Sequence, residues 1–100
     1  MEKRTPHNDL ATVKRLVGAG AVRATKTAIN GAWALGFSEP DMHLVVLALT
    51  MKDFYKSMTT HADHKVWQDV YKPTTEVGVL YLKLTVENDV LIVSFKENEL

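Results

Sequence analysis

Apolar residues change their period near the middle of the chain, dividing it into a helical half and a stranded half. In the first half Leu10, Val13, Leu16 and Val17 recur at helical steps behind Asn8, a suitable N-cap, until Gly18 and Gly20 end the run. Thr25 has the chemistry to cap a second helix, with Ala28, Ile29, Ala32 and Leu35 inward and Gly36 closing it. Ser38-Glu-Pro-Asp41 has the form of a capping box with Pro in the first turn, which predicts a short third helix through Leu49. Its apolar run, Met42-His-Leu-Val-Val-Leu-Ala-Leu49, also fits a buried strand, because periodicity does not separate the two in so short a stretch.

From Asp53 onward the period is two. Phe54–Thr59, Lys65–Lys72, Val77–Glu87 and Val90–Glu97 read as strands, the last two rich in Val, Leu, Ile, Tyr and Phe. Asn88-Asp89 suits a two-residue hairpin turn with positive φ. The order predicts an α+β fold, with N-terminal helices packed on one face of a mainly antiparallel C-terminal sheet.

With Asn88 and Asp89 as the loop, Val86 faces Leu91, Leu84 faces Val93 and Leu82 faces Phe95, a wholly apolar face for the helices. The other face pairs Thr85 with Ile92, Lys83 with Ser94 and Tyr81 with Lys96. A one-residue slip would mix the two faces, so the pattern specifies this register. If Pro73-Thr-Thr-Glu76 is a four-residue loop, Gln68 faces Tyr81 and Trp67 faces Leu82. Gln68, Tyr81 and Lys96 then form a row across three strands of the open face, with Trp67 in the core.

Composition narrows the class. One hundred residues, 46% hydrophobic, 24% charged and without cysteine, describe one domain over residues 1–100 with a sizeable core. Disulfides, thiolate zinc sites and thiol nucleophiles are excluded. No apolar run approaches the ~20 residues of a membrane span, and the charged start Met1-Glu-Lys-Arg-Thr-Pro is unlike a secretory signal, so cytoplasm is expected and no membrane partner.

Formal net charge is zero, which argues against holding nucleic acid by bulk attraction. The distribution is uneven. Lys3, Arg4, Lys14, Arg15, Arg23 and Lys26 outnumber Glu2 and Asp9 in the first quarter, whereas acids crowd the C-terminus. A basic face is compatible with this sequence.

The open-face residues suit phosphodiester chemistry without a metal. RNA carries its own nucleophile, the 2′-hydroxyl. Cleavage needs a base for that proton, an acid for the 5′-oxygen and positive charge at the phosphate. Lys, Tyr and Gln can divide those tasks, and a lysine acts as base only where burial or a neighbouring cation lowers its pKa. Tyr–Lys cross-strand pairs are also common on solvated sheets, so residue types alone do not establish a site. His61 and His64 stand at metal-pair spacing but lack a third ligand in sequence, and no metal or cofactor is expected. The basic N-terminal helices fit a DNA-reading helix-turn-helix poorly, since Lys26–Leu35 is mostly Ala and Ile.

Several ordered blocks carry a specific resemblance: Met1-Glu-Lys-Arg-Thr-Pro-His7, Asp53-Phe-Tyr-Lys-Ser-Met-Thr-Thr60, Trp67-Gln-Asp-Val-Tyr71, Tyr81-Leu-Lys83 and Asp89-Val-Leu-Ile-Val-Ser-Phe-Lys-Glu97. In these the chain closely resembles the motility quorum-sensing regulator (MqsR) toxins, a family of mRNA interferases. The resemblance implies a RelE-like fold and endoribonuclease activity on messenger RNA at GC-containing triplets such as GCU. It also implies a cognate antitoxin with a zinc-binding N-terminal part and a helix-turn-helix C-terminal part, through which alone operator DNA would be reached. Family residues tied to catalysis fall on Lys56, Gln68, Tyr81 and Lys96, and those tied to substrate handling on Tyr55, Met58 and Lys72. Lys72 stands where the family looks to have Arg, keeping the charge without the bidentate fork. The neutral overall charge is a second departure. The alternative is a non-catalytic module that binds RNA or protein and acts through its antitoxin.

Overall fold

The computed structural model describes residues 1–99. Its elements run β1 (Glu2–Lys3), α1 (Leu10–Gly18), β2 (Val22–Ala24), α2 (Lys26–Ala34), α3 (Glu39–Leu47), a 3₁₀ turn (Met51–Asp53), β3 (Phe54–Thr59), β4 (Trp67–Tyr71), β5 (Thr74–Thr75), β6 (Gly78–Val86) and β7 (Val90–Glu97). The sheet order is β1-β3-β4-β6-β7-β2, with β5 paired to β6. All pairings are antiparallel except β2 with β7. This is the expected α+β fold, with three helices preceding most of the strands. Among the described residues no helix is long and apolar enough to cross a membrane.

Capping chemistry sets the helix starts. The Thr25 hydroxyl accepts from Ala28 N–H, and Ser38 and Asp41 form a reciprocal capping box, so the ambiguous run after Pro40 is a helix. The first helix differs from expectation: its N-cap is Asp9, without a side-chain cap bond. Asn8 instead donates from its backbone N–H and its Nδ2 to Asp69 Oδ2 at 3.0 and 3.1 Å. Asp69 is fully buried and also accepts from His7 N–H at 2.8 Å and from the Ser57 hydroxyl. A buried carboxylate is tolerable only when its oxygens are satisfied. Here it ties residues 7–8 across β3 and β4 and aims the N-terminus along the sheet edge as β1.

The core lies between helices and sheet. Leu10, Val13, Val17, Ala28, Ala32, Met42, Val46 and Leu49 meet Tyr71, Leu80, Leu82, Leu84, Val90, Ile92 and Phe95. Small residues on α2 let it approach β7 closely: a Cβ on Gly31 would overlap the Phe95 carbonyl oxygen. Trp33, on the outer face of α2, is 70% exposed.

Two registers depart from expectation. In the last hairpin Leu82 faces Phe95, Lys83 faces Ser94 and Tyr81 faces Lys96, as predicted. Nearer the turn, Leu84 pairs with Ile92 and Val86 with Val90, which leaves a three-residue loop and an irregularity at Val93. Among the described residues no non-glycine has positive φ, so the tight turn expected at Asn88-Asp89 is not formed. The bulge turns Ile92 into the core, where it is fully buried, and frees the Val93 carbonyl to accept from the Thr25 hydroxyl at 3.0 Å.

Between β4 and β6 the loop is displaced. Pro73 does not begin it; its carbonyl accepts from Leu80 N–H at 2.9 Å, and the chain continues through β5 to a turn at Glu76-Val77 closed by Gly78 at φ +104°. Proline there gives up one donor and keeps the acceptor. Tyr71 is therefore level with Leu82 and Val70 with Lys83. The shift is four residues, an even number, so every β4 side chain keeps its face but moves roughly 13 Å along β6. Gln68 consequently does not face Tyr81. Trp67 does not join the helix-covered core either; it stacks on His7 at 5.4 Å beneath the N-terminal segment, with Lys3 Nζ 4.2 Å from its ring.

Candidate active site

Strand alternation decides which side chains reach the open face. Lys56 of β3, Val70 of β4, Lys83 of β6 and Ser94 of β7 stand in one transverse row. The next row is Tyr81 level with Lys96, and the β4–β6 register continued by one residue brings Lys72 beside Tyr81. On the other side of the first row Met58 pairs with Gln68. Successive rows are roughly 7 Å apart.

A hollow of about 310 Å³ opens over the Tyr81 row. Tyr55, Lys56, Lys72, Tyr81, Lys96, Glu97, Asn98 and Glu99 line it. A register irregularity between Phe54 and Lys56 turns Tyr55 toward it as well. Lys72 Nζ sits 3.6 Å from the Tyr55 ring centroid and Lys56 Nζ 5.4 Å, with the Arg4 guanidinium 5.9 Å away. Tyr81 has Lys96 at 5.4 Å and Lys83 at 5.8 Å from its ring. Of the seven residues expected at the site, the hollow gathers Tyr55, Lys56, Lys72, Tyr81 and Lys96. Met58 lines a separate hollow with Met1, Glu2, His61 and His64. Gln68 shares the open face with Met58, one row away from Lys56.

The four lysines of this face differ electrically. Lys56 Nζ donates to Glu2 Oε2 at 2.6 Å, and that hydrogen bond holds its ammonium above the usual lysine range. Lys83 is half-buried, and burial, reinforced by the charges of Lys96 and Lys56, holds its ammonium below that range. Burial also pushes the Tyr81 phenol up, so it keeps its proton at neutral pH. Glu2, Arg4 and Lys83 were not among the expected site residues. Lys83 is legible in sequence through sharing its strand parity with Tyr81; Glu2 and Arg4 arrive from more than fifty positions away and carry no local signal.

The converging groups are mainly ammonium ions and phenols, with Glu97 and Glu99 also lining the hollow and Glu2 paired to Lys56. Such a set suits a phosphate better than a divalent cation. A helix-backed, mainly antiparallel sheet that gathers cations and aromatic rings on its uncovered face defines a class of small α+β protein fitted to a polyanionic chain. Residues 5–97 match the family model described as motility quorum-sensing regulator, toxin of MqsA. The mRNA interferase toxin MqsR of Escherichia coli (strain K12) is 57% identical over 97 residues, covering 97% of this chain and 99% of that protein. The chain belongs to the motility quorum-sensing regulator toxin family.

Proposed function

We propose that this chain is the toxin of a toxin–antitoxin pair and an endoribonuclease acting on messenger RNA, cutting through the RNA's own 2′-hydroxyl without a metal. The convergence of Lys56, Lys72, Tyr81 and Lys96 on one hollow carries the reading; the name of the E. coli relative, an mRNA interferase, supports it. Attack on phosphorus builds negative charge on the non-bridging oxygens, and fixed ammonium groups stabilise that charge more than they stabilise the ground state. Lys56, held protonated by Glu2, and Lys96 flank the scissile phosphate. Tyr81 donates its proton to the departing 5′-oxygen. Lys72 and Tyr55 hold the adjoining phosphate and an unstacked base. Gln68 and Met58, one row further along, address the next nucleotide, which suits them to reading the GC-containing triplet.

The toxin stops translation and growth in the cytoplasm until its antitoxin binds. That partner has a zinc-binding N-terminal part and a helix-turn-helix C-terminal part; the zinc belongs to it, and operator DNA is reached only through it. Purified protein incubated with ribosome-free RNA containing GCU sites, in EDTA, is the test, with Lys96→Ala alongside. Cuts at GC-containing triplets leaving 5′-hydroxyl ends, absent in the variant, are expected. Intact RNA, with translating ribosomes added as well as without, overturns the enzyme reading and leaves a binding module.

A further inference from the structure

Lys83 is a half-buried lysine of the open face, and like Lys72 and Lys96 it has no counterion among the described residues. Among the described residues the ion pairs are Arg23 with Asp89 and Lys56 with Glu2, and neither involves Lys83. It stands between Val70 and Ser94, which bring it no charge. The charged and titratable groups that face it are Lys56 from β3, with Glu2 of β1 beyond, Lys72 beside β4, Lys96 from β7 and Tyr81 on its own strand. Glu97 and Glu99 line the hollow over the Tyr81 row and form no ion pair with Lys83. Lys56 is the opposite case, its ammonium fixed by a carboxylate 2.6 Å away.

A half-buried amine among cations gives up its proton more readily than a lysine free in water. We propose that Lys83 is a further catalytic residue of this face, the amine that takes the proton from the attacking 2′-hydroxyl; this rests on the endoribonuclease reading above. The Lys83 Nζ lone pair accepts the 2′-proton as the 2′-oxygen bonds to phosphorus. The bond from phosphorus to the 5′-oxygen breaks, its electron pair stays on that oxygen, and the Tyr81 phenol supplies the proton. The products are a 2′,3′-cyclic phosphate and a 5′-hydroxyl. Lys83 leaves the step as ammonium and Tyr81 as phenolate, and solvent carries the proton back between them. A phenol that holds its proton at rest still donates to an alkoxide, a far stronger base.

The test is single-turnover cleavage of a short RNA with one GCU site, in EDTA, from pH 6 to 10. Lys83→Arg keeps the charge and cannot act as base at these pH values. We expect it to bind a 2′-deoxy version of the RNA as tightly as the parent while cleavage falls by about 10²-fold or more. The rising alkaline limb of the parent's rate profile should vanish with it. Lys83→Ala should be restored in part by added ethylamine, in proportion to the free-base concentration. Normal cleavage by Lys83→Arg overturns the proposal, as does a Lys83→Ala loss that free amine does not restore. If the arginine variant melts early, the amine titration on the alanine variant decides alone. A parent that cuts while Lys83→Arg also cuts normally refutes only this inference; a parent that never cuts refutes the enzyme reading.

Discussion

Glu2 Oε2 lies 2.6 Å from Lys56 Nζ, so a carboxylate from the N-terminal strand occupies the ammonium expected to meet the scissile phosphate. The pairing of Glu2 with Met58 along β3 places it there, and the Met1 carbonyl accepting from Thr59 N–H at 3.0 Å holds the strand end. Glu2 thus stands in for a phosphate and competes with one. Glu2→Gln should bind 2′-deoxy RNA several-fold more tightly at low salt, with the gap closing as salt rises. Fluorescence titration at two ionic strengths measures it. Weaker binding by the variant would mean that Glu2 positions Lys56 instead of masking it.

Lys72 stacks on Tyr55 at 3.6 Å, beside the hollow but without a carboxylate partner among the described residues. Lys72→Ala should weaken RNA binding alike for all sequences and lower the slope of log affinity against log salt by about 1. Lys72→Arg should bind more tightly than the parent, because a planar fork contacts phosphate bidentately while still stacking on the ring. Equal affinity for arginine and lysine would show that this residue serves only as a point charge.

Gly31 reverses the usual rule for helices. At an exposed helical site Gly→Ala stabilises by up to about 1 kcal/mol. At this site the new Cβ meets the Phe95 carbonyl oxygen, which is backbone and cannot step aside. Gly31→Ala should therefore destabilise by about 2 kcal/mol, as overpacked sites do. It should also disturb neighbouring Lys96, lowering cleavage beyond the stability loss. Denaturant unfolding and cleavage assays on the same preparation separate the two effects.

The sequence was most readable where structure is local. Caps at Thr25 and Ser38, the bounds of β3 and β7, and the Tyr81–Lys96 pair depend on neighbours within a few residues or on one hairpin. What escaped is set by distant partners. β1 and β2 are two and three residues long and exist only because β3 and β7 offer them edges. Pro73 read as a turn marker, yet its carbonyl joins the ladder, and that moved Lys72 into the place expected of Gln68. The resemblance had also included Lys72 among substrate contacts, and it is this residue, not Gln68, that the register brings beside Tyr81.

Asp69 fastens the segment that carries Glu2. Its carboxylate accepts from His7 N–H, Asn8 N–H and Asn8 Nδ2, all within 3.1 Å. Asp69→Ala strands these donors beside a buried gap and should cost about 3 kcal/mol. Amide exchange should rise at residues 2–8 before the core. With the N-terminal strand loosened, Glu2 leaves Lys56, and RNA affinity should rise in the folded fraction as it does in Glu2→Gln.

The same pair fixes how RNA affinity varies with pH. The hydrogen bond from Lys56 holds the Glu2 carboxyl below its ordinary value, so the competing carboxylate is neutralised only in acid, beneath the usual glutamate range. Affinity of the parent should rise as pH falls through that region. At the alkaline end Lys56 stays charged beyond the ordinary lysine value of about 10.4. Its contribution to RNA binding is therefore present throughout neutral pH and is lost only as pH climbs through the raised value. In Glu2→Gln both limbs change: the acid gain vanishes because no carboxylate remains to neutralise, and the alkaline loss moves to lower pH. Titrations of 2′-deoxy RNA from pH 3.5 to 11, restricted to conditions where circular dichroism reports folded protein, should trace two different curves. Superimposable curves would show that Lys56 and Glu2 separate in solution before RNA arrives.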